Sequence, residues 1–335
     1  MARCVVICCC WSCWRSGDEH VSAEAPRPRV MLALPPFSSQ TRLLVVAPHP
    51  DDETIANGLL IQQVRAAGGE VRVLLLTAGD NNPWPQRWLE RRLCIGVEDR
   101  RRWAQRRQSE FLQALRCLGL SESDQRSLGW PDMGLTEHLL QECDAAVAAL
   151  LAAINEFQPS LLLVPALSDH HPDHGAAHVL LRLALAEYPA SPVLLTYLVH
   201  GVSGDGDVFE VVGTAAQRTA KFAALAAHRS QMALSGKRMR RMASRAECSA
   251  APAPSQPALP WQPPIWLQPW LQLSVVSAAG TQRWRWRDAP LRRDACGRWR
   301  LPAASSVHPG PTFARLAFTL PTPWIFDHWG WCELS

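Results

Sequence analysis

Apolar residues fall in two rhythms along this chain. Short runs with few polar interruptions, at residues 43–47, 71–76 and 161–164, have the length and aliphatic content of strands buried on both faces. Elsewhere the apolar positions recur at helical spacing. Ala56, Leu59, Leu60 and Ala67 share one face once Asp51-Asp52-Glu53-Thr54 has opened a helix, and Gly68-Gly69 ends it. Ala104, Phe111, Leu115 and Leu118 line a helix over 99–117, and Cys143, Val147, Leu150 and Ile154 line another. Further strands are expected at 193–199 and 208–212, with helices from His174 to about Glu187 and over 215–232. This alternation predicts an open α/β domain with a mostly parallel sheet and right-handed crossovers. Residues 81–98 read instead as a long polar loop at the functional end of the sheet.

Two of the predicted strands stop in clusters of ligating and acid/base side chains. Pro48 and Pro50 break the first run, because neither can donate to a sheet ladder. His49, Asp51 and Asp52 are thereby presented at the carboxyl end of a strand, where open parallel sheets bind ligands. The run 161–164 is followed by Pro165 and then by Ser168-Asp169-His170-His171-Pro172-Asp173-His174. A helix cap accounts for one Asp in either cluster. Two such clusters, each directly after an apolar strand, point to a shared metal site and to metal-assisted hydrolysis. His49 and Asp52 suit one ion if the Pro50 turn brings them together, with Asp51 left beside it as a general base. The third ligand is open on spacing alone. His170, His171, His174 and His178 all qualify, and His174 with His178 has the i,i+4 spacing of a helical metal pair.

Pro48-His49-Pro50-Asp51-Asp52-Glu53 paired with His171-Pro172-Asp173-His174 resembles the double signature of the LmbE/PIG-L-like zinc-dependent N-deacetylases. The resemblance covers roughly 43–232 and implies a Rossmann-like three-layer sandwich with the metal site at the carboxyl ends of the strands. It makes His49, Asp52 and His174 the ligands of Zn2+, with Fe2+ or Co2+ able to occupy the same set. It makes Asp51 the base that activates a zinc-bound water and His171 the oxyanion stabiliser or the proton donor to the amine. Asp173 is implied to orient that imidazole. The implied reaction removes the N-acetyl group from an amino sugar or amino-sugar conjugate, a small-molecule partner. Arg107-Gln108-Ser109-Glu110, with Ala114 and Leu118-Gly119, is similar to the family's Arg-x-x-Glu helix, so Arg107 is either a substrate contact or half of a buried ion pair. Gly129-Trp130-Pro131-Asp132-Met133-Gly134 looks like the family's Pro-Asp-x-Gly loop, with Asp132 accepting from sugar hydroxyls. Lys221 through His228-Arg229-Ser230-Gln231 resembles its closing helix, with His228 in the core or behind the ligands rather than among them.

Composition sets the limits. With 335 residues the chain holds one α/β domain of about 200–250 residues plus further material. No apolar run approaches the ~20 residues of a membrane span. Eleven Cys, five of them crowded into 4–13, form no spaced framework, and a reducing cytoplasm is the expected compartment. Eight Arg between 87 and 107 face only Glu90, Glu98 and Asp99, which suits a solvated helix face or an anionic substrate; no nucleic acid is expected. Trp84 and Trp88 either stack on a sugar face or anchor the loop. Residues 1–38 read as a disordered or misassigned extension, with secretion or membrane attachment as the other reading, and 39–243 as the deacetylase domain. Residues 244–335 read as a Pro/Trp-rich tail, carrying 13 of the 27 Pro and nine of the 15 Trp with little apolar periodicity. Disorder, a degenerate cap and a reading-frame change all fit it. Three other functions remain in play: a two-metal phosphoesterase, suggested by Asp169-His170-His171, a non-catalytic sugar-binding protein, and an Arg-driven nucleic-acid binder.

Overall fold

The structure, a computed structural model, describes residues 31–32, 36–201, 208–302, 310–320 and 326–335. Most of the extension read over 1–38 lies outside them. In chain order the elements are β1 (Met31–Leu32), β2 (Arg42–Ala47), α1 (Asp52–Ala66), β3 (Glu70–Thr77), α2 (Pro83–Glu90), α3 (Val97–Cys117), β4 (Gln125–Trp130), α4 (Leu135–Gln141) and α5 (Cys143–Phe157). Then follow β5 (Leu161–Pro165), α6 (Pro172–Glu187), β6 (Val193–Tyr197), β7 (Val208–Val211), α7 (Ala215–Ala227), α8 (Arg229–Ala243) and β8 (Glu247–Ala250). The chain closes with β9 (Leu271–Ser277), β10 (Gly280–Arg285), β11 (Arg292–Arg293), β12 (Trp299–Arg300), β13 (Thr312–Phe318) and β14 (Gly330–Leu334).

Eight strands form the central sheet in the order β1-β7-β8-β6-β5-β2-β3-β4. All its pairings are parallel except those of β8 with β6 and β7. The strands expected from apolar runs lie at its centre. Alternation along β2 makes the layers: Leu43, Val45 and Ala47 face a core shared with α1, α3, α7 and α8, whereas Leu44 and Val46 face one shared with α4, α5 and α6. Each fully buried Leu or Val in these layers contributes about 1.5–3 kcal/mol of burial. Strand order reverses between β2 and β5, so the carboxyl ends of those two strands open onto the crevice where α/β sheets bind ligands.

Several local expectations need correction. The 81–98 stretch is not one loop: Pro83 sits in the first turn of α2, a position that tolerates a missing amide proton. The 215–232 helix is divided at His228, whose ψ of 57° ends α7 and restarts the chain as α8. β4 escapes detection because its residues are half-exposed at the sheet edge and lack an apolar run.

The largest difference concerns 244–335. β8 is part of the central sheet, so the sheet continues past residue 243. The remainder forms a four-stranded antiparallel sheet, β10-β9-β13-β14, over a core of its own that includes Leu273, Trp261, Trp286 and Leu316. The prolines among its described residues fall between strands rather than within them, which is how so much Pro coexists with a sheet. This sheet also packs onto α6: Trp331 lies so close to Gly175 that a Cβ there would clash with the indole, and Arg182 forms a two-pronged ion pair with Glu333 at 2.8 Å. Among the described residues no helix is long and apolar enough to cross a membrane.

Candidate metal centre

Just past β2, Pro48 O accepts from both the amide (3.0 Å) and the hydroxyl (2.8 Å) of Thr77 at the end of β3. The chain then turns through His49 and Pro50 and enters α1 at Asp52. The Asp52 carboxylate folds back over the turn and accepts from the His49 amide at 2.9 Å. The same oxygen, Oδ2, lies 3.2 Å from His49 Nδ1 and 3.1 Å from His174 Nε2. His49 Nδ1 and His174 Nε2 are 3.4 Å apart. Three donor atoms from two strand ends thus form a triangle with edges of 3.1–3.4 Å. Ligands at about 2.0–2.1 Å from a tetrahedral metal stand about 3.3–3.4 Å from one another, so the triangle has the dimensions of three vertices of such a site.

Each imidazole in the triangle is held from behind by a carboxylate. His49 Nε2 is 3.2 Å from Asp173 Oδ2 and 3.3 Å from Asp132 Oδ1. His174 Nδ1 is 3.1 Å from Asp169 Oδ2. With an ion at the front nitrogens, these carboxylates would hold the ring protons on the rear ones, as metal-ligating histidines require. The carboxylates are themselves fixed. Asp173 accepts from the amides of Met133 (2.7 Å) and Leu135 (3.1 Å), and Asp169 from those of His171, Val199 and His200, each at 2.9 Å. Burial works against charge on His174, but Asp169 and Asp52 outweigh it and lift its pKa to about 10. His49 is raised too, with burial opposing and Asp132, Asp173 and Asp52 prevailing. So many buried carboxylates converging on two imidazoles describe a cavity that favours a cation.

Asp51 stands beside the triangle in a strained conformation, φ 142° and ψ −22°, as the N-cap of α1. Its amide donates to Glu53 Oε2 (3.1 Å) and its carboxylate receives Arg107 Nη2 at 3.3 Å. Burial pushes the Asp51 pKa up to about 6, with Arg107 pulling it down and Asp52 pushing it up. Arg107 is only 3% exposed. It donates to Pro50 O (2.9 Å) and Gly79 O (3.0 Å) and lies 3.5 Å from Asp132 Oδ2. Gly79, at φ 62°, has no room for a Cβ against that guanidinium. Of the two readings open for Arg107, these contacts match the buried ion pair. Asp132 likewise has its oxygens turned to His49, Arg107 and the Asn81 amide.

The remaining histidines separate clearly. His171 caps α6, its Nδ1 accepting from the Asp173 amide at 3.3 Å, and its ring centroid is 4.6 Å from that of His49. The group expected to orient His171 thus touches it through its backbone, while the Asp173 carboxylate serves His49. Burial, then the charges of His49 and His174, push the His171 pKa well down. His170 is exposed, and His178 turns away to Pro165 O at 2.9 Å. His228 is buried 3.5 Å from Glu53 Oε1, behind the Asp51 amide. Two residues had not been singled out for this centre. Asp169 braces His174, and His200 forms a compact group with Asp52 and His174, their donor atoms within 4.8 Å. His200 follows an apolar strand, β6, as His49 and His171 follow theirs, and that recurrence was a readable signal.

Residues 44–185 match the family described as PIG-L, GlcNAc-PI de-N-acetylase. The chain is similar to the 1D-myo-inositol 2-acetamido-2-deoxy-alpha-D-glucopyranoside deacetylase of Mycolicibacterium smegmatis, with 32% identity over 160 residues, 44% of this chain and 54% of that protein. It is 30% identical over 184 residues to the enzyme of that name from Mycobacterium leprae, 47% of this chain and 58% of the other. The chain thus spans little more than half the length of these curated relatives. Among solved structures, the conserved protein TT1542 from Thermus thermophilus is 25% identical with a TM-score of 0.49, over 67% of this chain and 100% of that one. Both strand ends that build the donor triangle lie inside the segment that matches the PIG-L family.

Proposed function

We propose that this chain is a metal-dependent hydrolase that removes the N-acetyl group from an amino sugar or amino-sugar conjugate. The observation that carries the reading is the 3.1–3.4 Å donor triangle of His49, Asp52 and His174 with the Asp51 carboxylate beside it. His49, Asp52 and His174 would hold Zn2+, with Fe2+ or Co2+ as other occupants of the same donors. A divalent ion there supplies Lewis acidity to water and to the acetyl carbonyl.

The protein's own groups perform the proton transfers. Asp51, with a pKa near 6, is largely ionised at neutral pH and takes the proton of the attacking water. Because His171 Nδ1 accepts from the Asp173 amide, a hydrogen on its Nε2 is free to donate to the developing oxyanion. The proton acquired by Asp51 passes to the departing nitrogen, and the products are the free amine and acetate. Arg107 and Asp132 act by positioning Asp51 and His49, and Asp173 and Asp169 by fixing the two imidazoles. A small N-acetylated sugar conjugate as partner and a reducing cytoplasm belong to the same proposal. The phosphoesterase reading has less support, since Asp169 of the Asp-His-His run is committed to three backbone amides and His174.

The test is metal-dependent acetate release from a panel of N-acetylglucosamine conjugates, with Asp51→Asn alongside. Release that requires a divalent ion and is lost in Asp51→Asn at unchanged metal content supports the reading. One equivalent of bound metal with no acetate from any conjugate, but turnover of phosphoesters, rejects it.

A further inference from the structure

α2 presents its aromatic residues to solvent. Pro85 and Gln86 are buried on the side that packs against α8, and Gln86 is fixed by a 2.6 Å bond to Asp99 O. Trp84 and Trp88, one turn apart on the outer face, are 65% and 67% exposed. Leu89, Leu93 and Val97, next along the chain, are exposed as well. Large apolar side chains in such close succession mark a surface meant for an apolar partner.

Charge indicates which partner. The same stretch carries Arg87, Arg91, Arg92, Arg100, Arg101 and Arg102, and Arg87 lies over the Trp84 ring at 5.2 Å. Three carboxylates answer them: Glu90 pairs with Arg102, Glu98 with Arg101, and Asp99 with Arg92 and Arg102. Arg91 and Arg100 have no carboxylate partner among the described residues. Indole rings settle at the headgroup level of a bilayer, apolar side chains reach below it, and guanidinium groups pair with anionic headgroups. Nucleic acid would use the arginines but not Leu93 and Val97, and a second copy of this chain would bring like charges together.

We propose that residues 83–100 form a docking surface for an anionic lipid bilayer. The element is tied to the metal centre at its base. Asn82 Nδ2 bonds Gln231 Oε1 at 2.8 Å, and the Asn81 amide donates to Asp132 Oδ2 at 3.3 Å. Docking there sets the loops around the centre against the lipid surface. The inference stands apart from the hydrolytic reading, since it concerns surface binding alone.

Vesicle flotation of the full chain tests it, with phosphatidylcholine alone and with phosphatidylcholine containing about a quarter phosphatidylserine, at low and high salt. The chain should float with anionic vesicles and about tenfold less with neutral ones or at high salt. Trp84→Ser/Trp88→Ser and Arg91→Glu/Arg100→Glu should each lower anionic binding by about tenfold or more. Trp266→Ser, which removes an indole 72% exposed in the Pro-rich stretch before β9, should leave it unchanged. If the Trp pair fails to fold by circular dichroism, the Arg pair carries the test. No binding, binding that survives both pairs, or an equal loss in Trp266→Ser overturns the assignment. So does a dimer that dissociates in the Trp pair, or tighter binding of a single-stranded oligonucleotide than of anionic vesicles.

Discussion

The two strand ends that meet at the metal centre are built alike and held differently. Each follows a buried strand, each opens a helix, and each places carboxylates in the first helical turn. After β5 the chain enters α6 through His171 at φ −77° and ψ 128°, ordinary extended geometry, with a side-chain cap bond and Pro172 in the first turn. After β2 it enters α1 through Asp51 at φ 142°, with no side-chain cap bond. For a residue with a Cβ that conformation costs about 1–3 kcal/mol. It persists because Glu53 holds the Asp51 amide and Arg107 holds both the Pro50 carbonyl and the Asp51 carboxylate. On the proposed reading the relaxed entrance supplies one ligand, His174, and the strained one supplies His49 and Asp52 together with the base Asp51.

Exchanges on the two sides put this contrast at risk. Asp51→Asn should lower kcat by about 10²–10⁴-fold while bound metal stays near one equivalent, read by acetate release and metal analysis. A parallel loss of metal would mean that Asp51 is a ligand and that the two sides do not divide the work. Asp173→Asn and Asp169→Asn should each weaken metal affinity by about 10–100-fold in chelator competition, because each removes the brace of one imidazole.

His178, present on α6 without a counterpart on α1, makes stability depend on acid. Burial lowers its pKa to about 4, below the 6.5 of a free imidazole. The unfolded chain therefore binds a proton first, and the stability present above pH 6.5 is lost as pH falls toward 4, by about 2 kcal/mol at pH 5. Thermal melts of His178→Gln should be flatter than wild type across that window. The smallest effect isolates the strain itself. Asp51→Gly should raise stability by about 1 kcal/mol while abolishing activity, whereas His171→Gly, which removes a relaxed cap, should lower it by a few tenths, about 0.3 kcal/mol. Equal changes in the two variants would leave no asymmetry to explain.

What the sequence disclosed follows the same division between local and distant causes. β2 and β5 were legible because an unbroken apolar run followed by proline is a local signal, and the residues that the fold brings together, His49, Asp52 and His174, lie in two short signatures. Asp173 holds His171 through its amide, whereas the contact of its carboxylate with His49 was not legible, since the fold brings His49 from another strand. Asp169 was legible as a member of the His-rich cluster, but not its setting, because two of the amides that fix it, those of Val199 and His200, follow β6. In the Pro/Trp-rich part, β9 finds its partners in β10 and β13, and the latter pairing joins segments far apart in sequence. Strands of that kind acquire their meaning only once paired, and little in the individual segments foretells it.

Glu247 bears on how the molecule comes to exist at all. Its carboxylate accepts from the Leu59 and Leu60 amides of α1 and pairs with Lys221 of α7 at 2.6 Å, all of them buried. During synthesis α1 and α7 leave the ribosome before Glu247 does, and the ammonium of Lys221 then has no carboxylate to meet. Breaking such a buried pair costs about 3–5 kcal/mol, a large share of a domain's net stability. The helix that carries Asp52 therefore reaches its final setting late, after the nascent chain has passed the residues that bear every proposed metal ligand. A polypeptide halted at 243 would emerge with all of those ligands and without the residue that secures the helix behind them.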